Sequence, residues 1–324
     1  MDSGMTDLGM NARARELADA MVEDSAALRV RAGALGNGAG VIDAGIEVEG
    51  GYGAGLALAE ICMGGLGDVA FTTARIGERS WPAVLVTTDH PAVSCMASQY
   101  AGWAISVDKF FAMGSGPLRS HARVEKELFE KLGYGETATA GVLVLEGRVP
   151  PTEAVASWVA EKARLQPSQL TFVIAPTASI AGGVQISARI LETGLHKMET
   201  LGFDVRRVVS GYGVAPIPPV AKNDLRAIGR TNDCILYGGQ AHYTVRAGDD
   251  ELATLAAKVP ASASRDYGTP FYDIFQRYEG DFYKIDPLLF SPAEVWLTST
   301  ETGRTFHAGR LNPEVLGTSL HPKP

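Results

Sequence analysis

Short apolar runs alternate with stretches of helical periodicity along the whole chain, and this alternation limits the fold more than any other feature. Val41–Ala44, Val69–Thr73, Ala83–Thr88, Thr139–Leu145, Leu170–Ala175, Val205–Val209, Cys234–Tyr237 and Ala241–Arg246 are each of strand length. Between them, residues 11–31, Tyr52–Met63, Pro91–Trp103, Thr152–Leu165, Gln185–Met198 and the stretch from Asp249 carry helical patterns. Thr152 follows two prolines as an N-cap, with Glu153 in the first turn. Strands and helices interleaved in this way imply an α/β architecture. At 324 residues the chain can form two domains or one large α/β unit. Arg148-Val149-Pro150-Pro151 is the best linker candidate, dividing an N-terminal domain (1–150) from a C-terminal one (151–324).

Composition narrows the function. With 46% hydrophobic and 20% charged residues the chain is an ordinary globular protein. A net charge of −8 and the lack of any Lys/Arg run argue against a nucleic-acid partner and mildly favour cationic ligands. No apolar run approaches the roughly 18 residues of a membrane span, and the first twenty residues lack a signal-peptide core. A soluble, cytoplasmic protein is expected. Cys62, Cys95 and Cys234 are far apart and read as buried thiols of a reducing compartment. The six histidines show no metal-ligand spacing, and no GxSxG nucleophile turn occurs. No metal and no cofactor are implied.

The chemistry-bearing stretch is Gln185–Met198, directly behind Ala175–Gly183, APTASIAGG. At helical spacing Gln185, Arg189, Glu192 and His196 share one face between two apolar flanks, as if turned into a packed cleft. Arg and Glu three apart also decorate ordinary surfaces, for a few tenths of a kcal/mol. Arg-then-Glu, however, is the weaker order for a merely stabilising pair, and Gly182 and Gly183 allow close approach of a ligand to the backbone. A carboxylate beside a guanidinium suits a general base: the cation keeps Glu192 ionised, burial raises its pKa from about 4.3, and the two together poise it. Gly114-Ser115-Gly116-Pro117 reads either as a loop presenting N–H groups to an anion or flat polar ring, or as a plain helix-entry turn. Gly36–Gly40 resembles a dinucleotide loop only superficially, since a strand follows it. Arg265–Phe290 interleaves eight aromatics with Asp266, Asp273, Asp281, Lys284 and Asp286, which suits an aromatic cation or a core with a polar rim.

Taken together, VIDAG (Val41–Gly45), EICMGGLG (Glu60–Gly67), SQYAGW (Ser98–Trp103), FFAMGSGP (Phe110–Pro117), APT (Ala175–Thr177), ARILETGLHK (Ala188–Lys197), GRTNDCILYGG (Gly229–Gly239), GDFYKID (Gly280–Asp286) and LFSPAE (Leu289–Glu294) carry a resemblance that runs nearly end to end. The chain resembles the methenyltetrahydromethanopterin cyclohydrolases, in the form found in methylotrophic bacteria. That resemblance implies two α/β domains with a substrate pocket between them and a homo-oligomer, a trimer being favoured. It implies reversible hydrolysis of 5,10-methenyltetrahydromethanopterin to the N5-formyl compound in formaldehyde oxidation, without metal or nucleotide, on the dephospho carrier in bacterial members. Arg189 and Glu192 take the catalytic roles, Glu192 handling the proton of the attacking water and Arg189 tuning it. Gln99, Gly114, Ser115, Gly116, Thr177, Ser179, Gly182, Gly183 and Lys284 are then expected around the pterin. Two alternatives stay open: a non-catalytic reduced-pterin carrier, and a cyclohydrolase for the folate-type methenyl compound.

Overall fold

The computed structural model describes residues 7–280 and 284–321. Twelve strands lie among them: β1 (Arg31–Ala34), β2 (Gly40–Asp43), β3 (Asp68–Ile76), β4 (Arg79–Thr88), β5 (Trp103–Val107), β6 (Phe110–Ser115), β7 (Gly141–Glu146), β8 (Leu170–Ala175), β9 (Val208–Pro216), β10 (Gln240–Val245), β11 (Glu294–Ser299) and β12 (Thr305–Gly309). They build two α/β units, each around its own six-stranded sheet. The first unit comprises residues 1–68 and 93–185; the second comprises 69–92 and 186–324. Arg148–Pro151 joins β7 to the helix Glu153–Ala163 inside the first unit.

In the first unit the strand order is β1-β2-β8-β7-β6-β5, with β2, β8 and β7 mutually parallel. Side chains alternate across such a sheet, so both faces of a wholly apolar strand must be covered. Leu143, Leu145, Phe172 and Ile174 point to one face and pack with Val155, Ala156, Val159 and Ala160 of the helix Glu153–Ala163. Val142, Val144, Val173 and Ala175 point to the other, where Ala14, Ala18 and Met21 meet Leu58 and Ile61 of the helices Met10–Glu23 and Tyr52–Cys62. Thr152 caps its helix as expected, accepting the Val155 N–H.

In the second unit the order is β12-β11-β10-β9-β4-β3. The helix Asp224–Gly238 covers one face with Phe271–Arg277 and Pro313–Leu320, burying Cys234, Leu236, Tyr237, Phe271, Ile274 and Leu316 against Ala74, Ile76 and Ala83. This helix corrects the strand expected at Cys234–Tyr237. The run CILY has strand composition, but Asn223 accepts the Arg226 N–H as an N-cap, and Ala227, Thr231, Cys234 and Gly238 bury one helical face. The strand expected at Val205–Val209 is a single 3₁₀ turn, Val205–Arg207, followed by the longer β9.

The expected single helix over Gln185–Met198 is also corrected. It is two helices, Ile180–Ser187 and Ile190–Thr200, broken at Ala188-Arg189, just after the chain passes from the first unit to the second. Ser187 Oγ donates to the Pro216 carbonyl at the end of β9, and the Arg189 N–H reverts to a tight bond with Ile186 O. The row Gln185, Arg189, Glu192, His196 therefore does not share one helix face.

Candidate active site

Arg189 is the N-cap residue of the helix Ile190–Thr200, and Glu192 stands in that helix's first turn. Both side chains are buried, at 7% and 5% exposure. A first turn leaves backbone N–H groups unsatisfied and favours a negative side chain, so the break that removes the shared face places Glu192 where a carboxylate is welcome. The helix is seated closely. A Cβ on Gly213 would lie 2.8 Å from Ile190, one on Gly211 would lie 3.0 Å from Leu191, and one on Gly194 would strike the Tyr243 hydroxyl. That hydroxyl donates to Leu191 O at 2.9 Å, one residue before Glu192. Glycines on β9 thus let the helix approach the sheet, and a buried tyrosine fixes its first turn.

Five residues beyond Glu192, Lys197 is almost wholly buried and donates from Nζ to the Leu288 carbonyl. Burial lowers its pKa to about 8, partly offset by nearby Asp286. Asp286 accepts from Ser264 Oγ at 2.7 Å and from the Leu288 N–H, and its own N–H donates to Asp266. Lys284 is exposed on this same segment. Of the aromatic stretch, Phe271 lies in the core of the second unit, and Tyr267, Phe275, Tyr278 and Phe290 pack against it. Asp281 lies outside the described residues. A cavity of about 1150 Å³ in the second unit, lined by Arg79, Trp81, Arg226, Arg230 and Tyr272 among others, contains none of the expected site residues.

In the first unit, two groups form. At the carboxyl ends of the parallel strands, Thr177 Oγ1 donates to Glu146 Oε1 at 2.6 Å. Ser179 Oγ donates to Pro176 O and accepts the Gly182 N–H, and the Gly183 N–H bonds Ser179 O. Gly182 and Gly183 therefore belong to the helix Ile180–Ser187 rather than to an open loop, and a Cβ on Gly182 would strike Pro176 O. Asp43 closes the VIDAG loop beside them, accepting from the Gly45, Ile46 and Glu47 N–H groups. Carboxyl ends of parallel strands are where open α/β sheets bind ligands. Glu146 was not singled out by the sequence, although a carboxylate ending the apolar run GVLVL is the signal that marks it.

The second group surrounds Gln99, buried at the end of the π-helix Ala92–Gln99, which replaces the α-helix expected over Pro91–Trp103. Ser98 Oγ donates to Cys62 O at 2.6 Å, and Ser115 Oγ and Gln185 Nε2 both meet Cys62 Sγ. Gly114 is a residue of β6, paired with Trp103, and the Gly116 N–H donates to Ser98 O. Of Gly114–Gly116, Gly116 thus bonds the π-helix and Ser115 turns to Cys62, and the helix after Pro117 has only five residues, Leu118–Ala122. All three cysteines are free and buried. Among the described residues no group of three or more His, Cys, Asp or Glu side chains is arranged to hold a metal. No described helix is long and apolar enough to cross a membrane.

Comparison with known proteins decides the kinship. A family model described as Cyclohydrolase (MCH) matches residues 9–320. The chain belongs to the MCH cyclohydrolase family. It is 49% identical to the methenyltetrahydromethanopterin cyclohydrolase of Methylobacillus flagellatus over 302 residues, 93% of this chain and 91% of the relative. The enzyme of the same name from Methanosarcina barkeri is 45% identical over 312 residues, covering 95% and 97%. That of Methylobacterium organophilum is 44% identical over 317 residues, covering 96% and 97%. Family membership thus spans both units.

Proposed function

We propose that this protein hydrolyses the cyclic amidinium of 5,10-methenyltetrahydromethanopterin to N5-formyltetrahydromethanopterin, with Glu192 and Arg189 as its catalytic pair. The observation that carries the reading is the buried Arg189–Glu192 turn, clamped on glycines at the head of its helix, in a chain whose relatives bear that enzyme's name. The methenyl carbon is already cationic and needs no metal to make it electrophilic. It needs a water at attack distance and a base. Water oxygen bonds to the methenyl carbon as Glu192 takes its proton. The tetrahedral intermediate then collapses: its hydroxyl proton leaves to solvent as the formyl C=O forms, the bond to N10 breaks, and protonated Glu192 gives its proton to that nitrogen. Every step is its own reverse, so the reaction runs both ways.

Gln99, Thr177 and Ser179 read the pterin edge, Gly114, Ser115, Gly116, Gly182 and Gly183 leave room for its close approach, and Lys284 joins them. The dephospho carrier and a place in formaldehyde oxidation go with the resemblance to the bacterial form of the family. A cytoplasmic homo-oligomer, a trimer in particular, goes with the same reading. The test is loss of the methenyl chromophore on adding purified protein, with methenyltetrahydrofolate offered in parallel. Glu192→Gln should lower kcat by at least 100-fold, in the range expected for losing a positioned acid–base group, while substrate binding and the fold persist. A variant with wild-type turnover would remove Glu192 from the chemistry. Binding without turnover by the unaltered protein would leave a carrier instead of an enzyme.

A further inference from the structure

SQYAGW and FFAMGSGPLR are separated in the chain, yet one side chain reads both. Arg119 has no exposed surface. Its Nη1 donates to the carbonyls of Met96 and Ser98 at 3.1 Å each, and its Nε donates to Glu125 Oε1 at 2.7 Å. The guanidinium lies 5.2 Å from the Tyr100 ring centroid and 5.6 Å from that of Phe129. Those two carbonyls belong to the last turn of the π-helix, whose wide spacing shows in the bond from Tyr100 N–H to Cys95 O, five residues back. π-Helical segments are rare and are frequently found at functional sites. A helix end also presents carbonyls that a cation satisfies.

The rest of both motifs serves the same contact. Ser98 O accepts the Gly116 N–H as well as Arg119, so both of its lone pairs are used. Gly116 sits at φ +96°, and a Cβ there would press on the Val144 backbone. A Cβ on Gly102 would strike Glu125 Oε1 and lie 2.7 Å from Tyr100. The residue bracketed by these fixed points is Gln99. We propose that Arg119, braced by Glu125, is a positioning residue that holds the final π turn so that Gln99 meets the pterin. This rests on the cyclohydrolase reading and extends it, because Arg119 itself need not touch substrate.

The test is a double-mutant cycle read as KM and kcat on the methenyl compound, per mole of folded enzyme. Arg119→Met and Gln99→Ala should each raise KM about tenfold or more, with kcat changing far less. The double variant should match the worse single variant, not the product of the two. Arg119→Lys keeps charge without the planar fork and should fall between wild type and Arg119→Met. Glu125→Gln, a milder change if Arg119→Met folds poorly, should raise KM severalfold in the wild-type Gln99 background and leave it unmoved in Gln99→Ala. Independent, multiplying effects, or a loss confined to the folded fraction with KM unchanged, would overturn the positioning role. An unaltered protein with no turnover would instead overturn the cyclohydrolase reading on which it rests.

Discussion

Asp233 gives a quantitative handle on how the second unit is held together. Its carboxyl is fully buried on the helix Asp224–Gly238, where Oδ1 accepts the Phe271 N–H at 2.8 Å. Burial pushes its pKa up to about 7, against the smaller opposing pull of hydrogen bonds from Ser319 and Phe271. In the unfolded chain the same group titrates near 3.9. Between those two values the native protein keeps a proton that the unfolded chain has lost, so stability falls as pH rises from about 4 to about 7 and then levels off. Three units at about 1.4 kcal/mol each amount to about 4 kcal/mol, or roughly 10 °C of melting temperature for a unit of this size. Asp233→Asn keeps an acceptor for the Phe271 N–H and cannot ionise. Melting curves of both proteins from pH 4.5 to 7.5 should start nearly together and separate steadily, with the variant the more stable at pH 7.5. Two curves separated by the same interval at every pH would refute the argument.

Two further outcomes are expected. Gly194→Ala puts a methyl group on the Tyr243 hydroxyl and should cost about 2–4 kcal/mol from overpacking and the lost bond to Leu191 O; Tyr243→Phe in the same chain should recover part of it, and urea unfolding of the four proteins checks both. Arg189→Ala should lower kcat and move the basic-group limb of the pH–rate profile to higher pH, because a neighbouring cation favours the ionised carboxylate; an unmoved limb would deny Arg189 its tuning role.

The two-domain α/β architecture was legible because buried parallel strands leave strong local marks: GVLVL and LTFVIA are too short for helices and too apolar for loops. The break at Ala188-Arg189 was not legible, since it depends on Pro216 and on the glycines of β9, more than twenty residues away. CILY reads as a strand because its apolar and aromatic composition outweighs the Asn223 cap eleven residues earlier. Thr177 and Ser179 stand in the sequence as polar groups behind a strand, but their partners Glu146 and Pro176 O come from the fold. Nothing local marks Lys197 as buried, because the Leu288 carbonyl that receives it lies ninety-one residues on.

The hairpin Val69–Ala92 has a consequence for how such a protein can arise and be handled. It leaves the first unit's stretch of chain to supply two of the six strands of the second unit's sheet. A gene fragment stopping at Gln185 would therefore encode one finished sheet and a stray pair of strands with Ala74, Ile76, Trp81 and Ala83 stripped of their neighbours. The remainder would begin with the β4-side edge of β9 bare, an open template for aggregation. Neither unit can be shuffled, deleted or expressed as one uninterrupted piece, which ties the inheritance of Gln99 to that of Glu192.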